Sequence, residues 1–244
     1  MPDATSNPAE TPQPTTDPGF LASQLPQVGQ ATFAALASEP STGVGIITLD
    51  GQVVYLNEQA ARIFHGDEAK PAEYVGRFWR DYMPEEWVRE RLRMLRAMLI
   101  HDKPVLMRTI WRGFQHFTWI TRIEREAEAD ANGPELFLTI TRRAASDEEA
   151  EQLRPTTGFE EVESGVMRLG KLDALSPREL EVIALLGQGL TVKEVASILH
   201  RSEKTIDNHR THIHEKLRLG DRVALAEIAR RAGLTLGDSA RTRV

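Results

Sequence analysis

The 244-residue sequence contains no cysteine. That absence removes disulfides, thiolate-bound metals, cysteine nucleophiles and thiol-based redox sensing, together with any flavin chemistry that proceeds through a cysteinyl adduct. No stretch approaches the roughly 18 consecutive apolar residues of a membrane span. The N-terminal MPDATSNPAETPQPTTDPG lacks the basic and apolar blocks of a secretory signal, so the expected location is cytoplasmic. There is no nucleophile elbow, phosphate-binding glycine loop or zincin motif, and an enzyme is not expected. An excess of positive charge is missing too: 30 Lys and Arg stand against 36 Asp and Glu, a net charge of −6. In a uniform chain that balance argues against a nucleic-acid partner.

The chain is not uniform. Residues 1–170 hold 17 basic against 26 acidic residues, whereas 171–233 hold 11 against 9 and four of the seven histidines. Only the C-terminal part can approach a phosphate backbone without strong repulsion. With 41% hydrophobic and 27% charged residues, the composition is that of a globular protein, and the length accommodates two domains. The Pro-, Thr- and Ser-rich segment 1–29 is expected to lack structure. The acidic stretch 144–171, broken by Pro155 and Gly158, reads as a linker. Two domains follow, 30–143 and 172–234, with a tail at 235–244.

In the first domain, Val44 to Leu49 and Gln52 to Leu56 are short β-branched runs joined by Asp50-Gly51, a strong two-residue hairpin signal. Asn57 is placed to cap a short helix ending at Gly66. Pro84 opens a longer helix to about His101, with Val88, Leu92, Leu95 and Leu99 at helical spacing. Three more strands fit PVLMRTIWR, FQHFTWITRIE and ELFLTITRR, separated by Gly113 and the turn-forming ADANGP. The economical packing is an antiparallel sheet with helices on one face.

This order, with GIITLDGQVVYLNEQAARIFHG and then YVGRFWRDYMPEE, resembles a PAS sensory domain, although Thr139 stands where many such domains carry Asp. The resemblance implies an input module that holds a small molecule or cofactor, or pairs with another protomer or a sensor protein. Trp79, Tyr82, Trp87, Trp111, Phe117 and Trp119 are the aromatics available to line a ligand pocket, though such residues also build cores. His65, His101 and His116 are the candidate haem ligands, though each reads more readily as a surface or helix-end histidine, because haem needs a pocket as well as an imidazole. No cofactor is required by the sequence.

The C-terminal segment carries three helix starts. Ser176-Pro177-Arg178-Glu179 and Thr191-Val192-Lys193-Glu194 are capping boxes, and Ser202 caps a third helix after the short turn His200-Arg201. The expected inward residues are Leu180, Ile183 and either Ala184 or Leu186 on the first helix. On the second they are Val195, Ile198 and Leu199, and on the third Ile206, Ile213 and Leu217. A short helix, a tight turn and a longer amphipathic helix make a helix-turn-helix, whose second helix enters the major groove. On that helix Lys204, Asp207, Asn208 and Thr211 share the stripe opposite the apolar one.

The run LSPRELEVIALLGQGLTVKEVASILHRSEKTIDNHRTHIHEKL resembles the LuxR-type DNA-binding domain, and RVALAEIARRAGL resembles its fourth, dimer-forming helix. The resemblance implies double-stranded DNA as partner and a homodimer. It implies phosphate contacts from Thr191, Lys193, Lys204, Thr205 and Arg210, and base reading by Asp207, Asn208 and Thr211. Three positions depart from the pattern. Val192 replaces Asn, Asp207 replaces Lys, and Arg201 replaces an apolar turn residue, where its methylenes can lie over the core. Asp207 can accept from cytosine N4 or orient Lys204 or Arg210. The expected architecture is therefore an α+β PAS-like domain followed by an all-α four-helix helix-turn-helix domain.

A metal site from His209, His212, His214 and Asp207 is disfavoured because 212 and 214 cannot share a helix face. Sigma-factor region four is the nearest DNA-binding rival, and the fourth helix favours the LuxR type. For the input domain, the hairpin contradicts a phosphoacceptor receiver, and an acyl-homoserine lactone domain would place helices ahead of the sheet. The alternative function is an interaction scaffold with a PAS-like pairing domain and weakened DNA binding.

Overall fold

In a computed structural model the described residues are 27–124, 133–144, 146–154, 158–219 and 222–244. Most of the N-terminal segment 1–29 and of ADANGP therefore lies outside them. The element order is α1 (Gln27–Ser38), β1 (Thr42–Thr48), β2 (Val53–Leu56), α2 (Glu58–His65), α3 (Glu85–His101), β3 (Val105–Trp111), β4 (Phe114–Arg122) and β5 (Leu136–Ala144). Then follow α4 (Asp147–Gln152), β6 (Glu160–Glu163), β7 (Val166–Met167), α5 (Pro177–Gly187), α6 (Val192–Ile198), α7 (Glu203–Leu217), α8 (Arg222–Ala232) and β8 (Thr242–Arg243). Six strands form one sheet in the order β2-β1-β5-β4-β3-β6, and β7 with β8 form a second. The chain divides into two compact units: the described residues up to Val105 with Trp119–Thr141, and Leu106–Thr118 with Arg142–Val244.

In the first unit the hairpin at Asp50-Gly51 forms, but not as a tight two-residue turn. Ile46 pairs with Tyr55 and Ile47 with Val53, so one extra residue bulges the register. The loop closes through Thr48 N to Gln52 O at 3.0 Å, with Gly51 at φ 86. Asn57 caps α2 by accepting from the Ala60 amide at 2.9 Å. Its side chain does more than cap: Oδ1 also accepts from the Val44 amide at 2.9 Å, and Nδ2 donates to the carbonyls of Ala37 and Thr42 at 3.1 and 2.8 Å. One side chain thus ties α1, β1 and α2 together. The helix α1 was not anticipated from sequence, and its start absorbs residues 27–29. Phe33 and Ala37 bury against Val44, Ile46, Val54 and Tyr55, Phe33 meeting the Tyr55 ring edge-on at 5.6 Å. The apolar burial falls at i and i+4, on one face of the helix.

In the second unit β3 and β4 join through Arg112 and Gly113, at φ 56 and φ 79. Positive φ at both central residues is the two-residue turn that matches strand twist. Here an arginine occupies a conformation usually left to Asn, Asp or Gly. One apolar cluster runs from Met167 to Leu234 and includes Ile110 of β3. The stretch 144–171, read as a linker, contains α4, β6 and β7. The tail 235–244 contains a 3₁₀ turn at Leu236–Ala240 and the strand β8, which pairs in parallel with β7.

Candidate nucleic-acid interface

The three caps read from sequence all form. Ser176 accepts from the Glu179 amide at 3.3 Å while Glu179 accepts from the Ser176 amide at 2.7 Å. Thr191 and Glu194 make the same reciprocal pair at 3.3 and 2.7 Å, and Ser202 accepts from the Thr205 amide at 3.2 Å. Each satisfies helix-start N–H groups that have no partner within the helix. The turn between α6 and α7 puts His200 at φ 50 and returns the Arg201 amide to the Ala196 carbonyl at 2.9 Å.

Ile206, Ile213 and Leu217 are buried and fasten α7 to the core, as are Leu180, Ile183 and Ala184 of α5. On α6, Val195 and Ala196 are buried, whereas Ile198, expected inward, is 44% exposed. The helix is rotated so that 195, 196 and 199 share the inner face, and Leu199 packs on the core in place of Ile198. Arg201 is exposed rather than lying over the core, and its Nη1 donates to the His200 carbonyl at 3.3 Å.

Two fastenings were not legible in the sequence. The Lys216 ammonium meets the buried Glu179 carboxylate at 2.6 Å, tying the end of α7 to the start of α5. Burial acts to raise the Glu179 pKa, but Lys216 and Ser176 outweigh it and hold the carboxyl below its usual range. Arg178 donates to the Leu199 carbonyl at 2.8 Å, closing the end of α6, and pairs with Glu181. The spacing of Lys216 from Glu179, 37 residues, carries no local signal.

On the outer stripe of α7, Lys204, Asn208 and Thr211 are exposed, as is Lys193 at the start of α6. Thr191 and Thr205 have their hydroxyls engaged, with Glu194 at 2.7 Å and Ser202 at 2.8 Å. The Thr211 hydroxyl donates to the Asp207 carbonyl at 3.0 Å. Asp207 Oδ1 lies 2.8 Å from Arg210 Nη2, with the two side chains 49% and 29% exposed. In the free chain Asp207 thus stands within ion-pair distance of Arg210.

The family model for bacterial regulatory proteins of the luxR family matches residues 173–229. These residues form a luxR-family domain. The oxygen regulatory protein NreC of Staphylococcus carnosus is 46% identical over 55 residues, 22% of this chain and 25% of NreC. The transcriptional regulatory protein UhpA of Escherichia coli K12 is 44% identical over 57 residues, 23% of this chain and 29% of UhpA. An HTH-type transcriptional regulator of Mycobacterium tuberculosis is 40% identical over 60 residues, 25% of this chain and 7% of its own length. The match to each of these relatives covers a quarter of this chain or less and less than a third of the relative. Among solved structures, the Vibrio cholerae VqmA–ligand–DNA complex is 16% identical, with a TM-score of 0.43 over 84% of this chain and 90% of that one. The PAS domain of an HTR-like protein from Haloarcula marismortui is 16% identical, with a TM-score of 0.32 over 48% of this chain and 93% of that one.

The aromatics proposed for a sensory pocket fall into separate settings. In the first unit Trp79 and the buried Trp87 meet edge-on at 4.9 Å. Tyr82, half-buried, packs on His65 and Tyr74 at 5.3 and 5.2 Å, and Trp119 is half-buried. In the second unit Trp111 is fully buried under Arg168, and Phe117 lines a small cavity of about 50 Å³. A cleft of the first unit, about 630 Å³, is lined by none of the six; Ala37, Tyr55, Asn57, Arg62, Lys70 and Pro71 are among its walls.

The candidate haem ligands differ as much. His65 is stacked on Tyr74 at 3.8 Å, and His101 is exposed at the end of α3. His116 is buried, and burial with the nearby Arg143 charge lowers its pKa to about 3, against a small opposing pull from the Phe114 carbonyl. Among the described residues no cluster of three or more His, Asp or Glu is arranged to hold a metal, and no helix is long and apolar enough to cross a membrane.

Proposed function

We propose that the chain is a transcription regulator that binds duplex DNA as a homodimer, with α7 in the major groove, under the control of a PAS-like sensory part. The observation that carries this reading is the α7 stripe. Its apolar side is buried, its opposite side presents Lys204, Asn208 and Thr211 to solvent, and it is held rigidly at both ends by Ser202 and by the Lys216–Glu179 pair. Rigid placement is what base reading requires.

Each residue has a role. Lys204, Lys193 and Arg210 neutralise phosphates, with Thr191 and Thr205 beside them at the helix starts. Asn208 offers the amide that pairs with adenine N6 and N7, and Thr211 offers its methyl to thymine. Asp207 holds Arg210 in place and restrains its charge, which lowers affinity for unrelated sequences relative to the preferred one. The sensed group is a small molecule, a cofactor or a partner protein. The 630 Å³ cleft has the volume of a small-ligand site, about 300–1,000 Å³ in general.

The test is a binding titration of the full chain on its preferred duplex, identified by genome-wide DNA binding of the tagged protein. Lys204→Ala should weaken binding on every sequence and reduce the salt slope by about 1. Asp207→Ala should strengthen binding to unrelated sequences more than to the preferred duplex, narrowing the ratio between them. Equal loss on all sequences for Asp207→Ala would sink its assigned role, and absence of any duplex binding by the folded chain would favour a protein-interaction scaffold.

A further inference from the structure

Another cleft lies inside the luxR-family domain, beside the outer stripe of α7. It holds about 160 Å³ and is bounded by three helices. Leu186 of α5, Leu190 in the turn to α6, and Leu225 and Ala226 of α8 make its apolar walls. The remaining side is α7, which contributes Arg210 and His214. Residues four apart on a helix are neighbours on one face, so a guanidinium and an imidazole are presented together against a wall that is otherwise apolar. At Gly189, which also borders the cleft, an added Cβ would meet nothing within 4 Å, so the wall is open there.

The two polar side chains have unspent donors. A guanidinium carries five N–H groups, yet among the described residues the one partner of Arg210 is Asp207, 2.8 Å from Nη2. The His214 ring has no hydrogen-bond or ionic partner among the described residues, although an imidazole in either charge state offers at least one N–H. Both side chains are half-buried, so they are partly withdrawn from water without receiving protein partners in exchange. The acids adjoining the walls are already taken: Glu227 of α8 pairs with Arg230 and Glu181 of α5 with Arg178, each at 2.5 Å. Free donors beside an apolar wall match a ligand with a carboxylate at one end and a compact hydrocarbon body at the other. An apolar cavity of about 150 Å³ accepts a benzene ring, which limits that body to about six carbons.

We propose that this cleft binds a small organic carboxylate, its charge taken by Arg210 and His214 and its body lying on Leu186, Leu190 and Leu225. A guanidinium engaged by the ligand is withdrawn from phosphate, so the occupied cleft lowers affinity for duplex DNA. The inference adds a second control, within the DNA-binding domain itself, to the sensory control proposed above. Its effect on DNA rests on the phosphate role proposed there for Arg210.

The probe is benzoate, with benzamide as its uncharged counterpart, added to the full chain at constant ionic strength. In NMR titrations without DNA, signals of Leu190, Leu225 and His214 should shift saturably with benzoate. Benzamide should bind roughly tenfold more weakly, because a charge-assisted contact becomes a neutral one. His214→Leu removes the N–H and keeps an apolar side chain in place, and Leu186→Phe fills the cleft. Each should weaken benzoate by roughly tenfold and leave duplex binding without benzoate unchanged. Saturating benzoate should weaken duplex binding by about fivefold, the low end of coupling between sites, and the duplex should weaken benzoate by the same factor. The salt slope of duplex binding should fall by about 1 as the Arg210 contact is lost.

Shifts that do not saturate or that scatter over the chain, equal binding of benzamide, or folded variants that take up benzoate like the wild type would overturn the site. Duplex affinity unmoved by saturating benzoate would overturn its link to Arg210. Should Leu186→Phe not fold, His214→Leu still decides, since that ring has no described partner to lose. A chain that takes up benzoate at His214 but binds no duplex would count against the proposed function and leave the carboxylate site standing.

Discussion

Replacing Glu179 by glutamine tests how the luxR-family domain is held together. The substitution keeps a side-chain oxygen that can accept from the Ser176 amide, so the helix cap survives, but it removes the charge that holds Lys216 at 2.6 Å. A hydrogen bond to a charged group contributes about 1.5–3 kcal/mol net. The Lys216 side chain is 41% exposed and partly screened, which moves the expectation to about 1–2 kcal/mol. For a domain of this size that corresponds to a fall in melting temperature of roughly 5–12 °C. Lys216→Met should cost a similar amount by leaving the buried carboxylate without its cation. The double variant should lose less than the sum, with a coupling of about 1 kcal/mol.

The pH dependence adds a second constraint. A carboxyl held below its ordinary pKa contributes stability that is complete above the unfolded-state value, about 4.3, and that disappears as pH falls through the lower folded-state value. The gap between wild type and Glu179→Gln should therefore be constant from pH 7 to about pH 5 and shrink below about pH 4. Thermal melts across that range provide the measurement. A glutamine variant that melts with the wild type at pH 7, or a gap that widens on acidification, would refute the account.

Other expectations follow from single contacts. Gly187→Ala should destabilise by about 1–3 kcal/mol in a melt, since a Cβ there would meet the Ala229 Cβ at 2.5 Å where α5 and α8 cross; a helix-end glycine with free space would gain stability instead. His116, with its pKa lowered to about 3, takes up its proton far more readily when unfolded. Its presence should reduce stability as pH falls from about 6.5, by roughly 1.4 kcal/mol per unit at most, and His116→Met should flatten acid unfolding over that range. An unchanged acid profile would show that the ring is not held neutral.

What could be read from the sequence was what is encoded locally. Ser176, Thr191, Ser202 and Asn57 announce helix starts because the donor and acceptor of a cap lie within three residues of each other. The apolar stripe of α7 is legible for the same reason. Ile198 shows the limit: its spacing fits an inner face as well as Leu199 does, and only packing against α5 and α7 selects the rotation. Arg108 shows a further one. In the run VLMRTIW nothing nearby announces a partner for the arginine, and its burial depends on Glu163 and on Asp238, 130 residues away. The bulge at Ile46–Ile47 and the strand in the tail are likewise settled by partners that no short window of sequence contains.

The four bonds of Asn57 carry a consequence for how substitution at that position is to be judged. Aspartate has the same shape and ranks with asparagine as a helix cap. Yet exchanging the NH₂ for oxygen would turn two donors into acceptors facing the carbonyls of Ala37 and Thr42, in a residue only 8% exposed. A change invisible to volume, to hydropathy and to capping preference would therefore set like-signed dipoles against each other at the junction of three elements. The identity of this residue is fixed by two protons.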